Sequence, residues 1–198
     1  MYNLNTQEKI RNYILSSSEI VHDSVLLAPN IEKSITAIVK CLRKGNKVVL
    51  FGNGGSAADA QHIAAEFIGR FKIKRKSLPA IALSDNPSTI TAISNDFSFD
   101  MVFSRQCESL ISKGDVVIGI STSGNSLNVK KGINTSKNNG AITIGLLGNN
   151  GGSIKKCVDI PLIVDATETS HIQEAHRIIY HVICEIVERK LVDSRSKK

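Results

Sequence analysis

The sequence predicts an α/β protein: a doubly wound parallel five-stranded sheet flanked by helices, preceded by an N-terminal helical hairpin. Three observations lead there. Five short apolar runs rich in Val and Ile, at 47–51, 79–83, 115–120, 141–147 and 159–164, suit strands buried on both faces. Segments with helical periodicity separate these runs. The runs ending at Phe51 and Ile120 each pass into a Gly- and Ser-rich turn and then a helix, the arrangement that presents backbone N–H groups to an anion.

Residues 5–28 place Ile10, Tyr13, Ile14, Ile20, Val21, Val25 and Leu26 at helical spacing, and residues 30–44 do the same with Ile31, Ile35, Ile38, Val39 and Leu42. Pro29-Asn30 joins the two, and Gly45-Asn46 supplies a left-handed stop to the second. Further helices are predicted over 56–70, 87–94, 98–112, 126–139 and 170–191, with a short turn near 152–157. The whole chain, 1–198, reads as a single domain: the hairpin at 1–44, an α/β core at 45–192 and a basic tail at 193–198.

With 198 residues, 41% of them hydrophobic, the chain can bury one good core. No apolar run approaches the ~20 residues that span a bilayer, and the N-terminus lacks the continuous apolar stretch of a signal peptide, so no membrane association and a cytoplasmic location are expected. Cys41, Cys107, Cys157 and Cys184 are scattered without C-x-x-C spacing, which reads as free, buried thiols. The formal net charge of +7 is concentrated at residues 72–76 and in the tail, and favours anionic partners such as phosphorylated metabolites. With 5% aromatic residues and no Trp there is little material for base stacking, so a nucleic-acid partner is disfavoured.

In an open parallel sheet, ligands bind beyond the carboxyl ends of the strands. After Phe51 comes Gly52-Asn53-Gly54-Gly55-Ser56, then a helix carrying His62 and Glu66 four residues apart, one turn above the other. The pair is equally readable as a solvated surface couple, and the turn as only a turn. After Ile120 comes Ser121-Thr122-Ser123-Gly124-Asn125-Ser126, whose four hydroxyls at a helix N-terminus exceed what capping needs and suit a phosphate. One of them, such as Ser126, is expected to cap the helix. Asn95 and Asp96 fit a turn from spacing alone, with sugar hydroxyls as the alternative. The last segment places three of the five histidines, His171, His176 and His181, within eleven residues, together with Gln173 and Arg177.

Taken together and in order, G-N-G-G-S, A-Q-H-x-A-A-E-x-x-G-R, N-D-F, S-T-S-G-N-S and I-Q-E-x-H resemble the phosphosugar-isomerase (SIS) fold, and within it the phosphoheptose isomerase family, over residues 35–190. The resemblance implies an aldose–ketose isomerase that converts D-sedoheptulose 7-phosphate to D-glycero-D-manno-heptose 7-phosphate through an enediol, at the head of nucleotide-activated heptose synthesis. It implies a homotetramer with interface active sites and one zinc per subunit held by His62, Glu66, Gln173 and His181. Asn53, Gly54 and Gly55 would hold the sugar, Ser121, Thr122, Ser123 and Ser126 the phosphate, and Asn95 and Asp96 the sugar chain. Glu66 would be the base and His181 its acid/base partner, with Glu66 and Gln173 also contacting substrate. His171 stands where the family carries Arg. A non-catalytic SIS protein that binds the bacterial replication initiator is the alternative; such relatives lack the Glu66 acid and the last His.

Gln173 and His181 lie about 12 Å apart along a helix axis and about 80° apart around it. That spacing suggests that His181, or the His62–Glu66 pair, reaches the site from a neighbouring chain.

Overall fold

The computed structural model describes residues 5–193. Helices α1 (Thr6–Asp23) and α2 (Ala28–Arg43) are joined by a 3-10 turn, Ser24–Leu27. The core follows as β1 (Val48–Gly52), α3 (Gly55–Ile68), β2 (Ala80–Ala82), α4 (Pro87–Asp96), α5 (Val102–Leu110), β3 (Val116–Ser121), α6 (Leu127–Asn138), β4 (Ile142–Gly148), β5 (Ile160–Val164) and α7 (Thr169–Asp193). The predicted tail lies outside the described residues except for Asp193.

All neighbouring strands pair in parallel, in the order β2-β1-β3-β4-β5. Strand alternation divides the core into two layers. Val48, Leu50, Ile118, Ile144 and Leu162 face α2, α3 and α7, while Val49, Phe51, Val117 and Leu147 face α5 and α6. Each strand is therefore apolar on both faces, which is why the runs looked continuous in sequence. The order reverses between β1 and β3, so the loops after Gly52 and Ser121 open side by side at the switch point.

Local signals account for the element ends. Asn5 and Glu8 form a capping box at α1, each side chain accepting the other's backbone N–H at 2.9 Å. α2 begins at Ala28 rather than after Pro29-Asn30, because Pro is tolerated in a first helical turn, where its missing N–H has no intrahelical role. Asn86 caps α4, and that helix runs on through Asn95 and Asp96, so the turn expected at these two residues is instead a helix end. α1 and α2 both pack on α7, yet α1 buries none of its side chains; Ile10, Tyr13, Ile14 and Leu15 are all more than half exposed.

Asp115, only 1% exposed, staples the amino-terminal edge of the sheet. It accepts from the backbone N–H and the ammonium of Lys47 at 3.1 and 2.7 Å and from the N–H of Ser112 at 2.9 Å. The cysteines are unpaired, with Cys41, Cys107 and Cys184 buried as expected and Cys157 half-buried. Burial pushes the Cys184 thiol up to about 12, so it is inert at neutral pH.

The basic stretch 72–76 is anchored through its backbone and Arg75, while Lys72, Lys74 and Lys76 are exposed. The buried Glu188 carboxylate accepts the N–H groups of Phe71, Lys72 and Ile73 at 3.1, 2.7 and 2.8 Å and pairs with Arg75 Nε at 2.9 Å. Arg75 then donates through Nη2 to the carbonyl of Glu66 at 2.8 Å and through Nη1 to that of Phe67 at 2.8 Å, capping α3 where its carbonyls run out of partners. No helix among the described residues is long and apolar enough to cross a membrane.

Candidate active site

α3 starts at the switch point because Gly54, at φ +53°, turns the chain sharply out of β1. No side chain caps this start; the N–H groups of Ser56 and Ala57 donate to the carbonyls of Asn53 and Gly54, each at 3.0 Å, beside the exposed Gly54 and Gly55. Asn53 is tied across to Asn128 of α6 by a reciprocal amide pair, both bonds 2.9 Å, which locks the β1 and β3 loops together. Gln173 of α7 reaches the same place. Its amide lies so close over Gly55 that a Cβ there would collide with it.

The β3 loop is a built cradle. Ser121 donates to Ser126 at 3.1 Å and its hydroxyl lies 3.4 Å from that of Ser123. Ser126 occupies the N-cap position of α6, but its side chain makes no capping bond, contrary to the expectation that one hydroxyl would be used up in this way. Its hydroxyl is turned inward to the serine cluster instead. Gly124 takes φ +65° and stacks backbone to backbone on Gly151 and Gly152 of the β4 loop, and Asn149 Nδ2 donates to the carbonyl of Thr122 at 3.0 Å. The cradle is thus held from outside, leaving hydroxyls and α6 N–H groups to face a ligand.

Along α3, His62, Glu66 and His181 converge. His62 Nε2 lies 3.2 Å from Glu66 Oε1 and 3.4 Å from His181 Nε2. Tyr180 packs edge-on to His181 at 4.7 Å between ring centroids, and Phe71 lies 5.6 Å away on another side. Burial first, and the neighbouring charge of His62 second, hold His181 below the ordinary imidazole range. The side of His181 facing α1 opens into a cleft of about 460 Å³ that also touches Tyr13, Ile14, Glu174 and Arg177.

The structure sorts the predicted residues. Asn53, Gly54, Gly55 and Gln173 gather at the head of α3, and His62, Glu66 and His181 gather two turns further on. Ser121, Thr122, Ser123 and Ser126 form the adjacent cradle. Asn95 and Asp96 remain apart, exposed at the end of α4 and bonded to each other at 2.9 Å. Spacing had suggested that His181, or the His62–Glu66 pair, comes from a second chain; one chain brings all three together. Gln173 is the ligand candidate left outside the cluster, because α3 and α7 run alongside each other and the eight-residue step from Gln173 to His181 runs beside the seven-residue step from Gly55 to His62. His171, in the family's Arg position, is buried against Tyr13 at 4.6 Å between centroids.

Sequence reasoning missed a part-buried network beneath this cluster. Asp59, 2% exposed, accepts from Tyr180 Oη at 3.2 Å and from Arg177 Nη2 at 3.3 Å, while Arg177 Nε donates to Tyr180 Oη at 3.1 Å. Asp59 precedes His62 by three residues on the same helix, but no local signal joins it to Arg177 and Tyr180.

Two imidazoles and a carboxylate are a chemically suitable zinc set. The 3.4 and 3.2 Å separations centred on His62 approximate the edge of a tetrahedron with bonds near 2.0 Å, about 3.3 Å. The described residues do not form a closed group of three His, Cys, Asp or Glu side chains, so the donors fit in kind and in two of their separations.

The SIS domain family matches residues 12–148. A phosphoheptose isomerase of Geobacter sp. strain M21 is 53% identical over 83% of this chain and 86% of its own. That of Geotalea daltonii is 45% identical over 95% of this chain and 98% of its own. Among solved structures, the phosphoheptose isomerase of Neisseria gonorrhoeae superposes with a TM-score of 0.89 at 36% identity, covering 93% of this chain and 100% of that one. The enzyme of Francisella tularensis gives 0.91 at 33% identity, covering 94% and 100%.

Proposed function

The chain belongs to the SIS-domain family of phosphoheptose isomerases, and from that premise we propose that it interconverts D-sedoheptulose 7-phosphate and D-glycero-D-manno-heptose 7-phosphate. The observation that carries this reading is the approach of Glu66 and His181 to His62, two turns along α3 from the switch point. Of these, Glu66 and His181 are the residues that a non-catalytic relative would lack.

Aldose–ketose isomerisation moves a proton between C1 and C2 of the sugar through a cis-enediol. The serine cradle and the α6 N–H groups bind the phosphate, fixing the substrate at its far end so that the reacting carbons are presented to α3. Asn53, the α3 N-terminus and the Gln173 amide orient sugar hydroxyls. Glu66 has a single side-chain partner, His62, and is the group that takes the proton from carbon. His181 exchanges the proton between the C1 and C2 oxygens. Burial and the neighbouring His62 favour its neutral ring, the form that can both give and take a proton. Phe71 and Tyr180 crowd it and restrict water. A zinc ion held by His62, Glu66 and His181 would polarise the sugar carbonyl.

The same reading includes a cytoplasmic homotetramer. The exposed Ile10, Tyr13, Ile14 and Leu15 of α1 support assembly, since an apolar helix face of this kind is ordinarily covered. The cleft beside His181 borders that face and supports active sites near an interface. Incubation with sedoheptulose 7-phosphate and zinc should yield the aldoheptose phosphate, and absence of turnover would sink the isomerase assignment. Light scattering should give four times the 21.5 kDa chain mass.

A further inference from the structure

The Asp59–Arg177–Tyr180 network lies directly under the cluster just described. Asp59 is a carboxylate with almost no exposure, on the inner side of α3. Both of its donors come from α7, and they are also bonded to each other, so three side chains close a ring between the two helices. Around this ring the α3–α7 contact is made largely by small or smooth side chains, such as Ala60, Ala64, Ala175 and Ile179. Such a surface buries area without fixing how far one helix slides along the other.

A helix pair that only needed to pack would do as well with apolar residues in place of the buried Asp59–Tyr180 hydrogen bond, because replacing both partners of such a bond by apolar groups of the same shape can be nearly neutral or stabilising. What the ring adds is register. Asp59 stands one turn before His62, and Tyr180 directly precedes His181. The Tyr180 ring touches both imidazoles, at 5.7 Å from His62 and 4.7 Å from His181 between centroids. A slide of one residue, about 1.5 Å along the axis, would separate the two Nε2 atoms beyond any shared use.

We propose that Asp59, Arg177 and Tyr180 are positioning residues that set the register of α7 on α3 and thereby aim His181 and His62 at a common point. The proposal rests on the isomerase reading for its kinetic consequence, though not for its structural one. Tyr180→Phe keeps the ring and removes the hydroxyl that is bonded to both Asp59 and Arg177. It should lower kcat by between about 10- and 100-fold while KM stays within threefold, as expected when reacting groups are displaced by up to an ångström.

The discriminating variant is the double change Asp59→Leu with Tyr180→Phe, which replaces the buried polar pair by apolar groups. It should regain or exceed wild-type thermal stability yet keep the low kcat. Return of kcat together with stability would overturn the proposal, since the ring would then be only a packing device. Side-chain 15N–1H spectra of the histidines supply a readout independent of turnover. The His62 and His181 resonances should move in Tyr180→Phe, and His22 should not. Unmoved His62 and His181 resonances would overturn the register argument. Moved resonances in a protein whose wild type does not isomerise would retain it and fault the assigned reaction instead.

Discussion

Glu188 and Glu66 sit on either side of Arg75 and are treated in opposite ways. Glu188 is buried and saturated: three backbone N–H groups and the Arg75 Nε surround it. Burial alone would raise its pKa, but these donors together hold it below the usual carboxylate range. Glu66, a turn from the end of α3, touches the same arginine only through its backbone carbonyl, and its carboxylate is left with the His62 ring alone. A carboxylate with all its acceptor sites filled fastens a loop. One with sites to spare is available to a substrate proton.

The comparison breaks most sharply at Glu66. Glu66→Gln should cut turnover by about 10³- to 10⁴-fold, the range for loss of a general base, while melting stays within about 2 °C and sugar-phosphate binding survives. An active Glu66→Gln enzyme would remove Glu66 from the mechanism. Glu188→Ala should do the reverse. It leaves Arg75 and three N–H groups without their acceptor, and urea titration should show a loss of about 3–4 kcal/mol, with the folded fraction still active. If Glu188→Ala lost kcat with its stability intact, the division between fastening and reacting carboxylates would collapse.

Third in size is a pH effect. His176 is fully buried, its Nε2 at 3.1 Å from the Leu147 carbonyl and its Nδ1 without a partner. Burial drives its pKa down from 6.5 to about 4, against the smaller opposing pull of the Leu147 carbonyl and of Asp59. The unfolded chain therefore binds a proton that the folded chain refuses between these values. Stability is full above the unfolded pKa and falls as pH drops from 6.5 towards 4, by about 3 kcal/mol for this group. Glu188, with its depressed pKa, loses its contribution in the same direction at lower pH. Denaturant midpoints between pH 7 and pH 4 should show this slope, flattened in His176→Gln. The smallest effect is at the cradle: Ser126→Ala should raise KM roughly tenfold with kcat within twofold, as loss of one bond to a charged phosphate predicts. A fall in kcat with KM unchanged would move Ser126 from anchoring to chemistry.

Much of the fold was legible because it is written in local codes. Val48–Phe51 and Val116–Ile120 are apolar at every position, which only a strand covered on both faces requires, and Gly45, Gly54 and Gly124 mark turns with positive φ. The cradle and the His62–Glu66 pair were legible for the same reason, since each lies within one short segment. What could not be read were relations between distant segments. The relative direction of α3 and α7 decides whether Gln173 or His181 meets His62, and no spacing within α7 contains it. Glu188 offers no hint in sequence that it will collect three N–H groups from residues 71–73. Asp59, Arg177 and Tyr180 look individually ordinary, and only the helix pairing joins them.

The stacking of Gly124 on Gly151 and Gly152 has a hereditary consequence. A Cβ on Gly124 would run into the backbone of Gly151 and Gly152, and one on Gly152 into the carbonyl of Gly124. Neither loop can accept a side chain at these points while the other keeps its path. The β3 and β4 loops must therefore change together or not at all: a mutation beyond β4, 27 or 28 residues from Gly124, is felt as a dent in the serine cradle.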